Sequence, residues 1–201
     1  MSDATDRQRV AEIERRTSET DIRLRLDLDG QGLHEIDTGV PFFDHMLNHV
    51  ALHGLLDLSL RARGDIEIDA HHTVEDVGIV LGHALAQALG DKRGIQRYGS
   101  QMMPMDEALV LVALDFSGRS LLVYDVELPA ATVGQFDTEL VPEFLRALAH
   151  NAGLTLHIKL LHGSNTHHII EAVFKGLGRA LQQGVAPDPR RRDVPSTKGV
   201  L

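Results

Sequence analysis

The sequence predicts an α+β protein made of two copies of one β-β-α-β-β-α unit, with sheets outside and helices packed between them. Three observations carry this. His71-His72-Thr73-Val74-Glu75 and His167-His168-Ile169-Ile170-Glu171 are one His-His-x-x-Glu motif written twice, 96 positions apart (167 − 71) in a chain of 201 residues. Leu81-Gly82-His83-Ala84-Leu85 and Leu177-Gly178-Arg179-Ala180-Leu181 repeat at the same offset. Upstream of each motif, apolar residues first recur every second position and then at helical spacing.

The first strand is Thr20 to Leu28, with Ile22, Leu24, Leu26 and Leu28 on one face and Asp21, Arg23, Arg25 and Asp27 on the other. It ends at Gly30, and an apolar strand from Leu109 to Leu114 ends at Gly118; both glycines fit hairpin turns. Thr38 and Pro41 mark the start of a helix carrying Phe42, Leu47 and Val50, with proline tolerated in the first turn. Its counterpart is Thr138 to Asn151, with Leu140, Phe144, Leu145 and Leu148. Gly54-Leu55 and Gly153-Leu154 close these helices 99 apart (153 − 54), before strands Leu56 to Arg61 and Leu154 to Leu161. The drift from 99 to 96 places a three-residue shortening between Gly163 and His167, where the first half has room for a short strand, Asp65 to Asp69. Each His-His-x-x-Glu then opens a helix, with Val74, Val77, Leu81, Leu85 and Ala88, or Ile170, Val173, Leu177 and Leu181, as the apolar stripe. We divide the chain into repeats 1–95 and 96–201, with Gly90 to Met103 as the link and a Pro- and Arg-containing tail after Gln183.

Composition narrows the function. Hydrophobic residues make up 43% and aromatic residues 4%, with no tryptophan, so an aliphatic core is expected. A net charge of −9 disfavours a nucleic-acid partner. The absence of cysteine removes disulfides, thiolate catalysis and Cys-ligated zinc. No apolar run is long enough for a transmembrane helix, and Met1 to Arg16 lacks the apolar stretch of a signal peptide. No membrane association and a cytoplasmic location are therefore expected.

Imidazole and carboxylate are ligands for first-row divalent cations, and His and Glu at helical spacing share a face. Adjacent histidines diverge, so one of each pair joins its Glu and the other is free to serve a second metal. The spacing leaves open which histidine does which, and whether the two motifs meet within one chain or between chains. A further ligand is expected from the upstream helices: His45, 26 residues before His71, and Glu143, 24 before His167. Mixed nitrogen and oxygen sets suit Mn, Fe, Co or Zn, and two carboxylates without thiolate favour Mn. Arg97 and Arg119 lie in Gly-containing turns, Lys175 follows Glu171 by one helical turn, and Ser196 and Lys198 lie in Pro-Ser-Thr-Lys-Gly; these are candidate phosphate contacts.

With both motifs, Thr38-Gly39-Val40-Pro41-Phe42-Phe43-Asp44-His45-Met46-Leu47, Gly90-Asp91-Lys92-Arg93-Gly94-Ile95 and the Pro-Ser-Thr-Lys-Gly tail together, the chain resembles the imidazoleglycerol-phosphate dehydratases from about Arg15 to Leu201. The resemblance implies a ribosomal protein S5 domain 2-like duplicated fold and a homo-oligomer, a 24-mer with active sites at subunit interfaces. It implies Mn(II)-dependent dehydration of D-erythro-imidazole-glycerol phosphate to imidazole-acetol phosphate in histidine biosynthesis, with two Mn2+ per active site. The route passes through a metal-bound imidazolate and a diazafulvene-like intermediate. The family's metal ligands fall on His45, His71, His72, Glu75, His167, His168 and Glu171; the eighth, usually a histidine, falls on Glu143. Acid–base work is assigned to Glu19, with Glu75 and Glu171 also at the catalytic centre, and Arg97, Arg119, Lys175, Ser196 and Lys198 form the phosphate clamp. His49 and His53, at i+4 and i+8 from His45, are expected to touch substrate or tune a ligand, and Asp106 to be structural. Two other classes fit the bare motifs: a two-metal phosphate-ester hydrolase, which would release inorganic phosphate, and a metal-binding shell protein, which would take up metal without turnover.

Overall fold

The computed structural model describes residues 9–201. The first half contributes β1 (Val10–Arg16), β2 (Thr20–Asp27), β3 (His34–Asp37), α1 (Pro41–Gly54), β4 (Asp57–Gly64) and α2 (His71–Leu89). The second contributes β5 (Tyr98–Met105), β6 (Ala108–Asp115), β7 (Leu121–Asp125), α3 (Leu140–Ala152), β10 (Thr155–His162) and α4 (Thr166–Val185), with a small β8–β9 hairpin (Thr132–Val133, Phe136–Asp137) before α3. The two mixed sheets have the same order, β1-β2-β4-β3 and β5-β6-β10-β7, antiparallel except for the last pair.

The duplication extends to register. Val10 pairs with Asp27 and Tyr98 with Asp115; Arg16 pairs with Asp21 and Pro104 with Leu109, a constant offset of 88 (98 − 10) through the hairpin. Leu24 opposite Leu60 corresponds to Val112 opposite Ile158, so β4 and β10 stand 98 apart (158 − 60). The outward face of the first hairpin is charged, with Glu14 3.6 Å from Arg23 and Glu12 3.4 Å from Arg25. The inward face, Ile22, Leu24 and Leu26, is buried, as the alternation predicts.

The helices fill the space between the sheets. α2 packs on α3 and α1 on α4, each pair joining opposite halves. The repeated Leu-Gly-x-Ala-Leu motif supplies the close approach. A Cβ on Gly82 would stand 2.9 Å from Leu148 O and 3.0 Å from Ala152 N; one on Gly178 would stand 2.7 Å from Val50 O and 3.0 Å from Gly54 N. These are corresponding atoms, and only hydrogen fits there. Phenylalanine matters more to the core than its count suggests: five of the six are fully buried, and Phe43 of the first half meets Phe144 edge-on at 5.2 Å, with Phe174 stacked on Phe144 at 5.5 Å.

Several local expectations are corrected. Asp65 to Asp69 is a turn, and the fourth strand of the first half is β1, at the charged N-terminal end. The second part of the 90–103 link, from Tyr98 on, is β5. Gly30 and Gly118 do not close hairpins: the strand that follows each pairs with β4 or β10, and the hairpins are β1–β2 and β5–β6. The helix ends align Leu55, not Gly54, with Gly153. Both are left-handed (φ 51° and 64°), and their N–H groups reach Ala51 O and Ala149 O. The offset is therefore 98, and the shortening before α4 is two residues. A Cβ on Gly54 would stand 3.1 Å from Leu56 Cγ and 3.3 Å from Gly178 O. Among the described residues, no helix is long and apolar enough to cross a membrane.

Candidate metal centre and active site

The Asn165 side chain caps α4 by accepting from the backbone N–H groups of His167 and His168, which satisfies otherwise orphaned donors and sets the pair in the first turn. His167, Glu171 and Lys175 then share one helical face. His167 Nε2 lies 3.1 Å from Glu171 Oε2, and Lys175 Nζ lies 2.5 Å from Glu171 Oε1. α1 lays a second row against this face. Its start is fixed by Asp44, whose carboxylate accepts from the backbone and hydroxyl of Thr38. His45 Nε2 and His49 Nε2 are each 3.6 Å from the Glu171 carboxylate and 3.3 Å from each other. The ring of His53 stacks beyond His49 at 5.6 Å. The ligating atoms of His45, His167 and Glu171 all lie within 4.8 Å of one another.

Burial would raise the Glu171 carboxyl, but the hydrogen bond from Lys175 and the charges of His49 and Lys175 outweigh it and hold it at about 2. Burial depresses His49 to about 4, against the attraction of Glu171 and with the help of His45 and Lys175. Near neutral pH this cluster offers an ionised carboxylate and a neutral His49. Convergent imidazole nitrogens and a carboxylate are the donor set a first-row divalent cation takes, so the cluster fits a metal.

The corresponding residues of the other pseudosymmetric site are His71 and Glu75 on α2 and Glu143 on α3. His45, His71 and Glu143 line one cavity of about 840 Å³, with Phe42, Asp69 and Phe136 among its walls. The Glu143 carboxylate turns to Arg146 Nη1, at 2.5 Å. Among the described residues, these side chains form no second three-ligand group. The remaining two motif histidines face elsewhere. His72 Nδ1 is 3.0 Å from Asp65 and 3.9 Å from Glu19. His168 Nδ1 is 2.7 Å from Glu107, and its Nε2 is 3.7 Å from Asp106.

The anion-binding candidates do not fall in one place. Lys175 stands at Glu171. Arg97 lies at the far end of α4, its backbone N–H donating to Gly184 O, while Arg119 belongs to the loop after β6 and Ser196 and Lys198 to the tail. There Arg97 is buried, its fork bonded to Asp115 at 2.6 and 3.0 Å and its remaining terminal nitrogen 2.7 Å from Pro195 O. Arg97 thus ties the tail to β6. Arg119 is exposed in the loop after β6, and Ser196 Oγ accepts from Lys198 N at 3.2 Å. Asp65 and Glu107 were not singled out from sequence; the 88-residue offset from Glu19 is the signal that points to Glu107.

The family model for imidazoleglycerol-phosphate dehydratase matches residues 38–181, which hold both motifs and all eight candidate ligands. This chain belongs to the imidazoleglycerol-phosphate dehydratase family. It is a hydro-lyase that dehydrates imidazoleglycerol phosphate in histidine biosynthesis. It is 63% identical to the Acetivibrio thermocellus dehydratase and 60% identical to that of Moorella thermoacetica, each over 193 residues. These alignments cover 96% of this chain and 99% and 98% of theirs. Among solved structures, the Staphylococcus aureus dehydratase superposes with a TM-score of 0.81 at 42% identity, over 89% of this chain and 99% of that one. The Pyrococcus furiosus dehydratase gives 0.82 at 41%, over 94% and 100%. The duplicated α+β architecture is therefore the dehydratase architecture.

Proposed function

We propose that the chain acts with two Mn(II) ions per active site on D-erythro-imidazole-glycerol phosphate, giving imidazole-acetol phosphate and water. The observation that carries this reading is the convergence of His45, His167 and Glu171 while His72 and His168 are held away from that cluster. Each metal takes one histidine and the glutamate of a motif, the residue from the upstream helix, and a histidine from the other motif. One site is His45, His167, Glu171 and His72; the other is His71, Glu75, Glu143 and His168. Because His72 and His168 do not reach these sets at home, we infer that they reach those of neighbouring copies, in a homo-oligomer with interfacial active sites, a 24-mer.

Metal held there would supply Lewis acidity, stabilising the substrate imidazole without its N–H proton and so easing loss of the hydroxyl on the carbon attached to the ring, which leaves with that proton as water. Glu19, beside His72, accepts the proton of the next carbon of the chain. The resulting enol tautomerises to the ketone. Lys175 neutralises Glu171 and meets the polar end of the substrate, with His49 and His53 lining the approach. Arg97, Arg119, Ser196 and Lys198 bind phosphate, and Arg97 also holds the tail that carries two of them. We read 1–95 and 96–201 as the two repeats, and place the enzyme in the cytoplasm.

Anomalous scattering from Mn-loaded crystals tests the ligand sets. The expected result is two ions per active site, one against His45, His167 and Glu171 and one touching Glu143. A single ion, or full occupancy in His72→Ala, would overturn the pairing.

A further inference from the structure

Glu19 and Glu107 are the same residue of the duplicated unit. Both immediately precede the second strand of a hairpin whose two copies keep one register at an offset of 88 (107 − 19). Their surroundings differ. Glu107 Oε1 accepts from Ser164 N and Asn165 N at 3.1 and 2.7 Å, and its Oε2 accepts from His168 Nδ1. Glu19 does none of this: its side chain is half exposed, 3.9 Å from His72 Nδ1. In its place stands Asp65, partly buried, accepting a hydrogen bond from His72 Nδ1 at 3.0 Å. Asp65 begins the turn that makes this connection two residues longer in the first half, and its backbone N–H donates to Glu19 O at 3.2 Å.

An ionised carboxylate can only accept, so each imidazole facing one carries its proton on Nδ1. That leaves Nε2 as the lone-pair nitrogen. A partner of this kind fixes both the tautomer and the ring orientation of a metal ligand. We propose that Asp65 and Glu107 are the positioning residues that present Nε2 of His72 and His168 to metal, and that Asp65 has thereby released Glu19 for proton transfer. The proposal rests on the reading of His72 and His168 as ligands.

Glu107→Gln is an informative variant. Its amide oxygen can keep both N–H donors at the start of α4, which places the amide NH2 against His168 Nδ1 and demands the other tautomer. Asp65→Asn tests the first half. Mn(II) affinity measured by chelator competition should fall about 10- to 100-fold in each, with site-resolved anomalous occupancy showing a different metal weakened in each. Melting of the metal-free variants should be unchanged, and Glu19→Gln should weaken neither metal. Wild-type affinity in both variants, or loss of the same metal in both, overturns the assignment. His72→Ala and His168→Ala separate the two levels. If these retain both metals, the ligand reading itself fails; if they lose metal while Asp65→Asn and Glu107→Gln do not, only the positioning role fails.

Discussion

The two pseudosymmetric sites share a scaffold and differ in what surrounds it. Around Glu171 stand His45, His49, His53, His167 and Lys175. The corresponding residues around Glu75 are Glu143, Ala147, Asn151, His71 and Ile79. The proposed ligand positions are matched by symmetry, with one His-to-Glu exchange. The other charged and titratable positions are not matched. The proposed substrate has the same division: a nearly symmetric imidazole with two nitrogens, carrying a chain at one end only. The repeated residues suit the imidazole, and the unrepeated ones suit what hangs from it.

The largest effect expected of any change follows from the least symmetric pair. Glu19→Gln should cut turnover at least ~100-fold, the usual worth of acid–base catalysis, while metal content and assembly stay intact; a near-normal rate removes Glu19 from the mechanism. Glu171→Ala comes next. It leaves the Lys175 ammonium buried without its partner, an arrangement that costs about 3–5 kcal/mol, and should empty one metal position in elemental analysis. Full occupancy would take Glu171 out of the ligand set. Gly82→Ala and Gly178→Ala probe the symmetric part and should cost about the same, roughly 1–3 kcal/mol each of overpacking, read as matched falls in melting temperature. A clear inequality would show that the two helix crossings are not equivalent. Glu143→His should be the mildest: two metals per site, with affinity shifted only modestly in titration calorimetry. Loss of metal would show that Glu143 serves another purpose.

What the sequence made legible was whatever is local and periodic. The alternating face of β2, the stripes of α2 and α4, and the doubled His-His-x-x-Glu are all short-range patterns. β1 was passed over because Glu12, Glu14, Arg15 and Arg16 read as a charged terminus; on an edge hairpin Glu12, Glu14 and Arg16 face solvent and pair across strands, while Arg15 turns inward to Asp76 of α2. β5 was read as a link because Gly94 precedes it and Gly99 and Pro104 interrupt it, and an edge strand tolerates the latter two. Leu55 in a left-handed cap was invisible because a glycine, the residue expected there, stands directly before it. The carboxylates on His72 and His168 come from a turn outside α2 and from a residue 61 positions away, so neither follows from the helical pattern of its motif. The bonds that hold Arg97, to Asp115 and to Pro195 O, likewise come from 18 and 98 residues away.

The crossings of α2 on α3 and α1 on α4 are one contact made twice, down to Leu148 O and Val50 O against the two motif glycines. That is how two identical subunits meet about a twofold axis. In a true homodimer every inherited substitution appears on both sides of the axis at once. Joining the copies in one reading frame removes that constraint, so a change such as Lys175 against Ile79, or Glu19 against Glu107, is made once and kept on one side. The peptide connection between the halves therefore supplies what twofold symmetry forbids: independent inheritance of the two ends of a lopsided site.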